Sequence, residues 1–368
     1  MWKNSLTAAL QISFRLLALL SAAVAAVSCL PKFSPLPAQS PAFLLSHIGA
    51  PPIPDGRARF RQIACMLADQ RQLQGEVRLD CERLLWRLSD EKQPSRAASP
   101  LPAHDPRLRL LIVPGAFAEC FPEYGMPFED AAAALKQRGG LIGFIAVSGR
   151  SGADHNAEQI AATVENLPVE PDEKIVLLGH SKGTVDILHF LVNHPQAAMR
   201  VSAVVSVSGP VSGSPLADSL AGIYRSLFSR IPFMDCPPGD KRVIDSLRRS
   251  YRTTWLASHR LPDHIRYFSL ATFAHREDVH PLMLLTYDQL ASTGERNDGY
   301  VATIDQLIPD GTLLGYVNLD HWDIALPVRE RLNFGGIGSR ADARQLIFEA
   351  LLLVVTEALK NESFHEHP

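Results

Sequence analysis

The stretch KIVLLGHSKGTVDIL, residues 174–188, limits the fold more than any other part of the chain. Its near-continuous apolar start reads as a strand buried on both faces. The run stops at Gly179-His180-Ser181-Lys182-Gly183, and a helical pattern begins at Thr184. Passing from strand to helix so abruptly requires a sharp turn. Glycine on either side of the serine removes the side chains that would collide there. The hydroxyl is then presented at the carboxyl edge of a sheet, where open α/β sheets bind ligands, beside the positive end of the following helix.

The rest of the chain supplies such a sheet. Apolar runs at 107–116, 141–149, 174–180, 201–209, 264–273 and 311–319 read as strands. The first four are mostly separated by helix-like segments at 127–138, 154–166 and 183–194. This alternation predicts an α/β fold: a mostly parallel sheet with helices on both faces. The closing SRADARQLIFEALLLVVTEALK is a long apolar-striped helix. Residues 211–263 interrupt the alternation, carry Pro232, Pro237 and Pro238, and read as a helical lid insertion. At 46% apolar and 20% charged residues the chain can bury a sizeable core. Thirty-six basic residues face 39 acidic ones with no basic tract, which excludes nucleic acid as a partner.

The N-terminal third reads differently. Lys3 and Arg15 accompany an apolar run from Leu17 to Val27, and no acidic residue precedes Asp55. Residues 1–29 therefore read as a secretory signal segment. Cys29 follows Ala26-Val27-Ser28 in a stretch that resembles a bacterial lipobox. Secretion, lipid attachment through Cys29 and an uncleaved membrane anchor stay open, and each places the protein outside the cytoplasm or in the cell envelope. Residues 30–56 read as a tether, 57–106 as a helical extension with a Pro-rich linker, and 107–368 as the main domain. Without Cys29, four cysteines remain, an even number suited to an oxidising compartment. Of three pairings, Cys65 with Cys81 would staple the extension, and Cys120 with Cys236 would tie two loops of the main domain.

A serine in such a turn acts as a nucleophile only with a base and an orienting acid. His321, in NLDHWD directly after the last strand, is the base candidate; Asp298, in the turn NDGYV, is the acid. His275 and His280 precede Asp298, His365 and His367 lie in the tail, His189 lies on the helix, and His180 points away from the site. The oxyanion donors are the backbone N–H of Lys182 and that of Ala116 or Phe117, in the loop after the first main-domain strand. The Lys182 side chain reads as a solvated charge. Phe117 and Phe121, with Leu220 and Tyr224 in the lid segment, supply apolar surface for an acyl chain.

The Gly-His-Ser-x-Gly turn, NDGYV and HWD resemble the α/β-hydrolase superfamily, and within it the secreted bacterial lipases and esterases, over about residues 107–360. SGPVSGSPLADSL (208–220) is similar to the segment that leads into the lid of those enzymes. The chain departs at Pro114, where those lipases carry histidine before the oxyanion glycine. The resemblance implies an α/β-hydrolase fold and a serine ester hydrolase acting on lipid-like acyl esters through an acyl-enzyme. Acyl transfer or polyester cleavage would use the same triad, and a non-catalytic binding protein on this scaffold is the alternative of another class. No cofactor is expected. Some relatives hold a structural calcium, and Asp278 and Asp323 stand at the corresponding places.

Overall fold

The structure is a computed structural model that describes residues 53–74, 79–88, 91, 100–226, 236–332 and 337–360, without the side chains of 223–226 and 337–339. Residues 1–52, with the signal-like segment and Cys29, lie outside the described residues, as do lid positions Leu227, Phe228, Ile231, Phe233 and Met234.

Seven strands form one sheet in the order β1-β7-β6-β5-β4-β2-β3. They are β1 (Leu85–Trp86), β2 (Leu108–Val113), β3 (Leu141–Phe144), β4 (Lys174–His180), β5 (Val201–Val207), β6 (Arg266–Thr272) and β7 (Thr312–Val317). The last six pair in parallel, as the apolar runs predict. The longer helices are α1 (Arg57–Leu73), α2 (Glu129–Gln137), α3 (Ala153–Asn166), α4 (Lys182–Asn193), α5 (Pro215–Ser226), α6 (Arg249–Ser258) and α7 (Ile337–Lys360).

Successive strand residues face opposite layers, because side chains alternate along a strand. Leu110, Ile112, Val176 and Leu178 pack with Phe60 and Ile63 of α1 and with Leu346, Ile347 and Leu351 of α7. Leu111, Val113, Ile175 and Leu177 pack on the other face with Ile160 and Val164 of α3 and Ile187 and Leu191 of α4. No helix among the described residues is long and apolar enough to cross a membrane.

The segment read as an N-terminal extension is built into this core. Its chain turns at Cys81–Leu84, capped by the Asp80 carboxylate, and adds β1 antiparallel to β7, pairing Leu85 with Val317 and Trp86 with Tyr316. Cys65 and Cys81 are disulfide-bonded, as are Cys120 and Cys236.

The strand order positions the site. From β2 the chain runs outward to β3, then crosses back to β4 on the other side of β2. The loops leaving the carboxyl ends of β2 and β4 therefore flank a crevice at the point where the winding direction reverses, a favoured place for a ligand.

Candidate active site

Ser181 stands between β4 and α4 with φ 55° and ψ −131°, a sparsely populated backbone conformation for a residue with a side chain. The glycines make the turn feasible. A Cβ on Gly179 would lie 2.4 Å from the Thr184 nitrogen, and one on Gly183 would lie 2.2 Å from the Val113 oxygen at the end of β2. The turn is thus clamped against its own helix and the neighbouring strand. The serine side chain is left pointing into the crevice, where its Oγ lies 2.8 Å from His321 Nε2.

His321 follows β7, and Asp298 lies between β6 and β7, in the loop after the short helix Leu284–Ala291; both are buried. Asp298 Oδ2 lies 2.9 Å from His321 Nδ1, and the Asp298 carbonyl accepts the His321 backbone N–H at 2.9 Å. That loop is organised by its own sequence: Asn297 Oδ1 accepts the Gly299 N–H, and Gly299 takes φ 105°. Asp298 Oδ1 accepts the N–H groups of Tyr300 and Val301 at 3.0 and 2.8 Å. Its Oδ2 also accepts from Thr272 Oγ1 at 2.9 Å and Gln306 Nε2 at 3.3 Å. Neither Thr272 nor Gln306 belongs to a recognisable motif, so sequence reasoning did not select them.

His180 is nearer the chemistry than the sequence reading allows. Its Nε2 donates to the His321 carbonyl at 3.0 Å, which fixes the proton on that nitrogen. Burial, reinforced by the neighbouring imidazole of His321, pushes His180 down to about 3, so it stays a neutral strut. The Tyr300 ring closes the other side, edge-on to His321 with centroids 5.3 Å apart.

On the oxyanion side, the backbone of Gly115 lies directly against Ser181. Of the two second-donor candidates, Phe117 donates its N–H to the Gly149 carbonyl at 2.9 Å, which leaves that of Ala116. The Lys182 side chain corrects the sequence reading: it is 1% exposed, with Nζ 2.5 Å from Asp186 Oδ1 one turn along α4. Phe117 and Leu220 are half-buried, Phe121 stacks on Tyr124 with centroids 5.5 Å apart, and the Tyr224 side chain lies outside the described residues. The lid helix starts packed on the core through Leu216, Ala217 and Ala221, and Ser214 Oγ anchors its entry to the Tyr300 carbonyl at 2.7 Å. The Cys120–Cys236 bridge, Cα to Cα 4.6 Å, joins the oxyanion-side loop to Cys236 within the 211–263 insertion.

The calcium places do not fit a cation. The buried Asp323 carboxylate is held by Arg329 Nε at 3.1 Å and by Arg340 Nη1. The Asp278 carbonyl accepts Arg329 Nη2 at 3.0 Å and Arg340 Nη2 at 3.4 Å. Two guanidinium groups thus take the oxygen donors that a metal would need. Arg329 also lies 3.5 Å from Asp320, whose carboxyl is pushed up to about 7 by burial and the adjacent Asp323.

No family model and no curated protein matches the chain. Among solved structures, a metagenomic carboxyl esterase superposes with TM-score 0.76 at 36% identity, over 92% of this chain and 99% of that one. Staphylococcus hyicus lipase gives 0.52 at 14% identity, covering 72% and 99%. The mature Bacillus licheniformis lipase gives 0.50 at 18%, covering 69% and 96%. The two lipases are similar in fold alone.

Proposed function

This chain belongs to the carboxylic ester hydrolases of the α/β-hydrolase fold, and from that premise we propose that it cleaves acyl esters through Ser181, His321 and Asp298 by way of an acyl-enzyme. The observation that carries the reading is the hydrogen-bond chain from Ser181 Oγ to His321 Nε2, 2.8 Å, and from His321 Nδ1 to Asp298 Oδ2, 2.9 Å. Because the Asp298 carboxylate can only accept, His321 Nδ1 carries the proton, and Nε2 is free to take one from the serine. Ser181 Oγ attacks the ester carbonyl as its proton passes to His321 Nε2. Charge develops on the carbonyl oxygen, which the N–H groups of Lys182 and Ala116 receive. His321 returns the proton to the departing alkoxide, leaving an acyl group on Ser181. Water, deprotonated by His321, then releases the acid and restores the serine.

The acyl group is lipid-like in this proposal. Phe117, Phe121 and the Leu220 face of the lid helix offer an apolar wall, and each buried methylene contributes about 0.8 kcal/mol. Specificity constants across C2 to C12 esters of one alcohol should rise by one to two orders of magnitude, roughly, before the pocket ends. A flat series, or a maximum at acetate, would reduce the protein to a small-ester hydrolase. Two disulfides in the folded unit support export to an oxidising compartment through the N-terminal segment.

A further inference from the structure

Lys182, Asp186 and Asn156 are each at least 98% buried, and none of them takes part in the proposed reaction through its side chain. Burying an ammonium and a carboxylate is costly, and an apolar pair would fill the same space at less cost. Their hydrogen bonds lead somewhere specific. Lys182 Nζ donates to Asp186 Oδ1 at 2.5 Å, and Asn156 Nδ2 donates to Asp186 Oδ2 at 2.7 Å. The same Nδ2 reaches the Ser148 carbonyl at 3.0 Å. Glu119 Oε1 then accepts the Gly149 N–H at 2.9 Å and Ser148 Oγ at 3.3 Å. Gly149 returns the contact, its carbonyl accepting the Phe117 N–H at 2.9 Å. One end of this chain is the residue whose N–H follows the nucleophile; the other is the loop that carries Ala116.

We propose that Lys182, Asp186, Asn156 and Glu119 are positioning residues, forming a brace that sets the separation of the two oxyanion donors, the N–H groups of Lys182 and Ala116. The proposal rests on the reaction described above. An oxyanion is stabilised only if both donors sit about 2.7–3.1 Å from where its oxygen will be. The donors belong to different loops, after β2 and after β4; the β2–β4 ladder aligns the strand ends as far as Val113 and Gly179, and the brace adds a side-chain tie between the loops beyond them. The brace runs from the first turn of α4, through α3 and the loop after β3, to the oxyanion loop, so a shift at either end is resisted by the other.

The test begins by counting active sites in the wild-type protein with a chromogenic phosphonate. Failure to label would defeat the reaction itself, separately from the brace. With sites counted, kcat and KM are compared for Glu119→Ala, Glu119→Gln, Asn156→Leu and the Glu119→Ala/Asn156→Leu double variant. The inhibition constant of a trifluoromethyl ketone bearing the same acyl chain is measured alongside. Glu119 is exposed, so its variants fold even if Asn156→Leu does not. Loss of one oxyanion donor costs about 10²–10³ in kcat, so a displaced donor in Glu119→Ala should cost about tenfold or more, with KM nearly unchanged. The ketone should weaken in the same proportion. Glu119→Gln, which keeps an oxygen for the Gly149 N–H, should recover most of the loss. The double variant should be no worse than the poorer single one, because the two act through one brace. Unchanged kcat per titrated site in Glu119→Ala, an unchanged ketone constant, or full additivity would overturn the proposal.

Discussion

The two halves of the site are held in contrasting ways. The acid–histidine half is buried and redundantly bonded. Asp298 accepts from Thr272, Tyr300, Val301, Gln306 and His321, and the His321 loop is further clamped by His180 and by Arg329 and Arg340 through Asp320 and Asp323. The oxyanion half is a partly exposed loop whose ties to the rest of the fold include a disulfide, the carboxylate of exposed Glu119, the Phe117–Gly149 backbone hydrogen bond and Arg331 on the Glu123 carbonyl. A redundantly bonded group tolerates loss of one support with little change in geometry; a sparsely held loop does not. Support lost from the first half should appear as stability, and from the second as turnover.

The largest effect lies outside this contrast. Ser181→Ala and His321→Ala should each lower kcat by about 10⁴ or more and be nearly equivalent, because the two act as a unit, with Asp298→Asn close behind. Retention of more than about a tenth of the activity by His321→Ala would remove it as the base. Next come the two disulfides. Cys120→Ser/Cys236→Ser should lower kcat per active site by about tenfold, since small misplacements of catalytic groups are expensive. Cys65→Ser/Cys81→Ser, on the opposite sheet edge, should lower the melting temperature and leave kcat per active site unchanged. Equal kinetic effects from the two would break the comparison.

The clamp on the other half should behave oppositely. Arg340→Gln leaves the buried Asp323 carboxylate short of a partner and should destabilise by on the order of 3 kcal/mol, with kcat per folded molecule nearly constant. Chemical denaturation together with active-site titration separates the two. The last effect is a pH slope. His180 is held at about 3 by burial and the His321 imidazole, below the ordinary value near 6.5. A folded pKa lowered in this way contributes stability that is full above about pH 6.5 and is lost as pH falls toward 3. His180→Gln should therefore show a shallower acid decline in stability over that window. An unchanged slope would mean that the strut does not titrate with unfolding.

What the sequence made legible follows the same division. Six strands could be read because strands buried in a sheet leave continuous apolar runs, and the sharp strand-to-helix turn at Ser181 because the glycine spacing has a steric cause. Asp298 and His321 could be proposed from their order along the chain, and the structure places them in hydrogen-bond reach of each other and of Ser181. β1 was not, because Leu85 and Trp86 lie within a helix-like stretch and become a strand only by pairing with β7. Lys182 and Asp186, four apart on a helix, look like an ordinary surface pair until burial is known. Arg329 and Arg340 lie in segments without a motif, so nothing along the chain announced that guanidinium groups would take the aspartates read as calcium ligands.

In the proposed reaction Ser181, activated by His321, carries the acyl group. Rapid acid quenching of the enzyme during turnover of a medium-chain ester, followed by peptide mass spectrometry, tests it most directly. An acyl adduct should appear on the peptide containing Ser181, formed in a burst and absent in Ser181→Ala. Full turnover with no adduct, or an adduct on another residue that persists in Ser181→Ala, would contradict it.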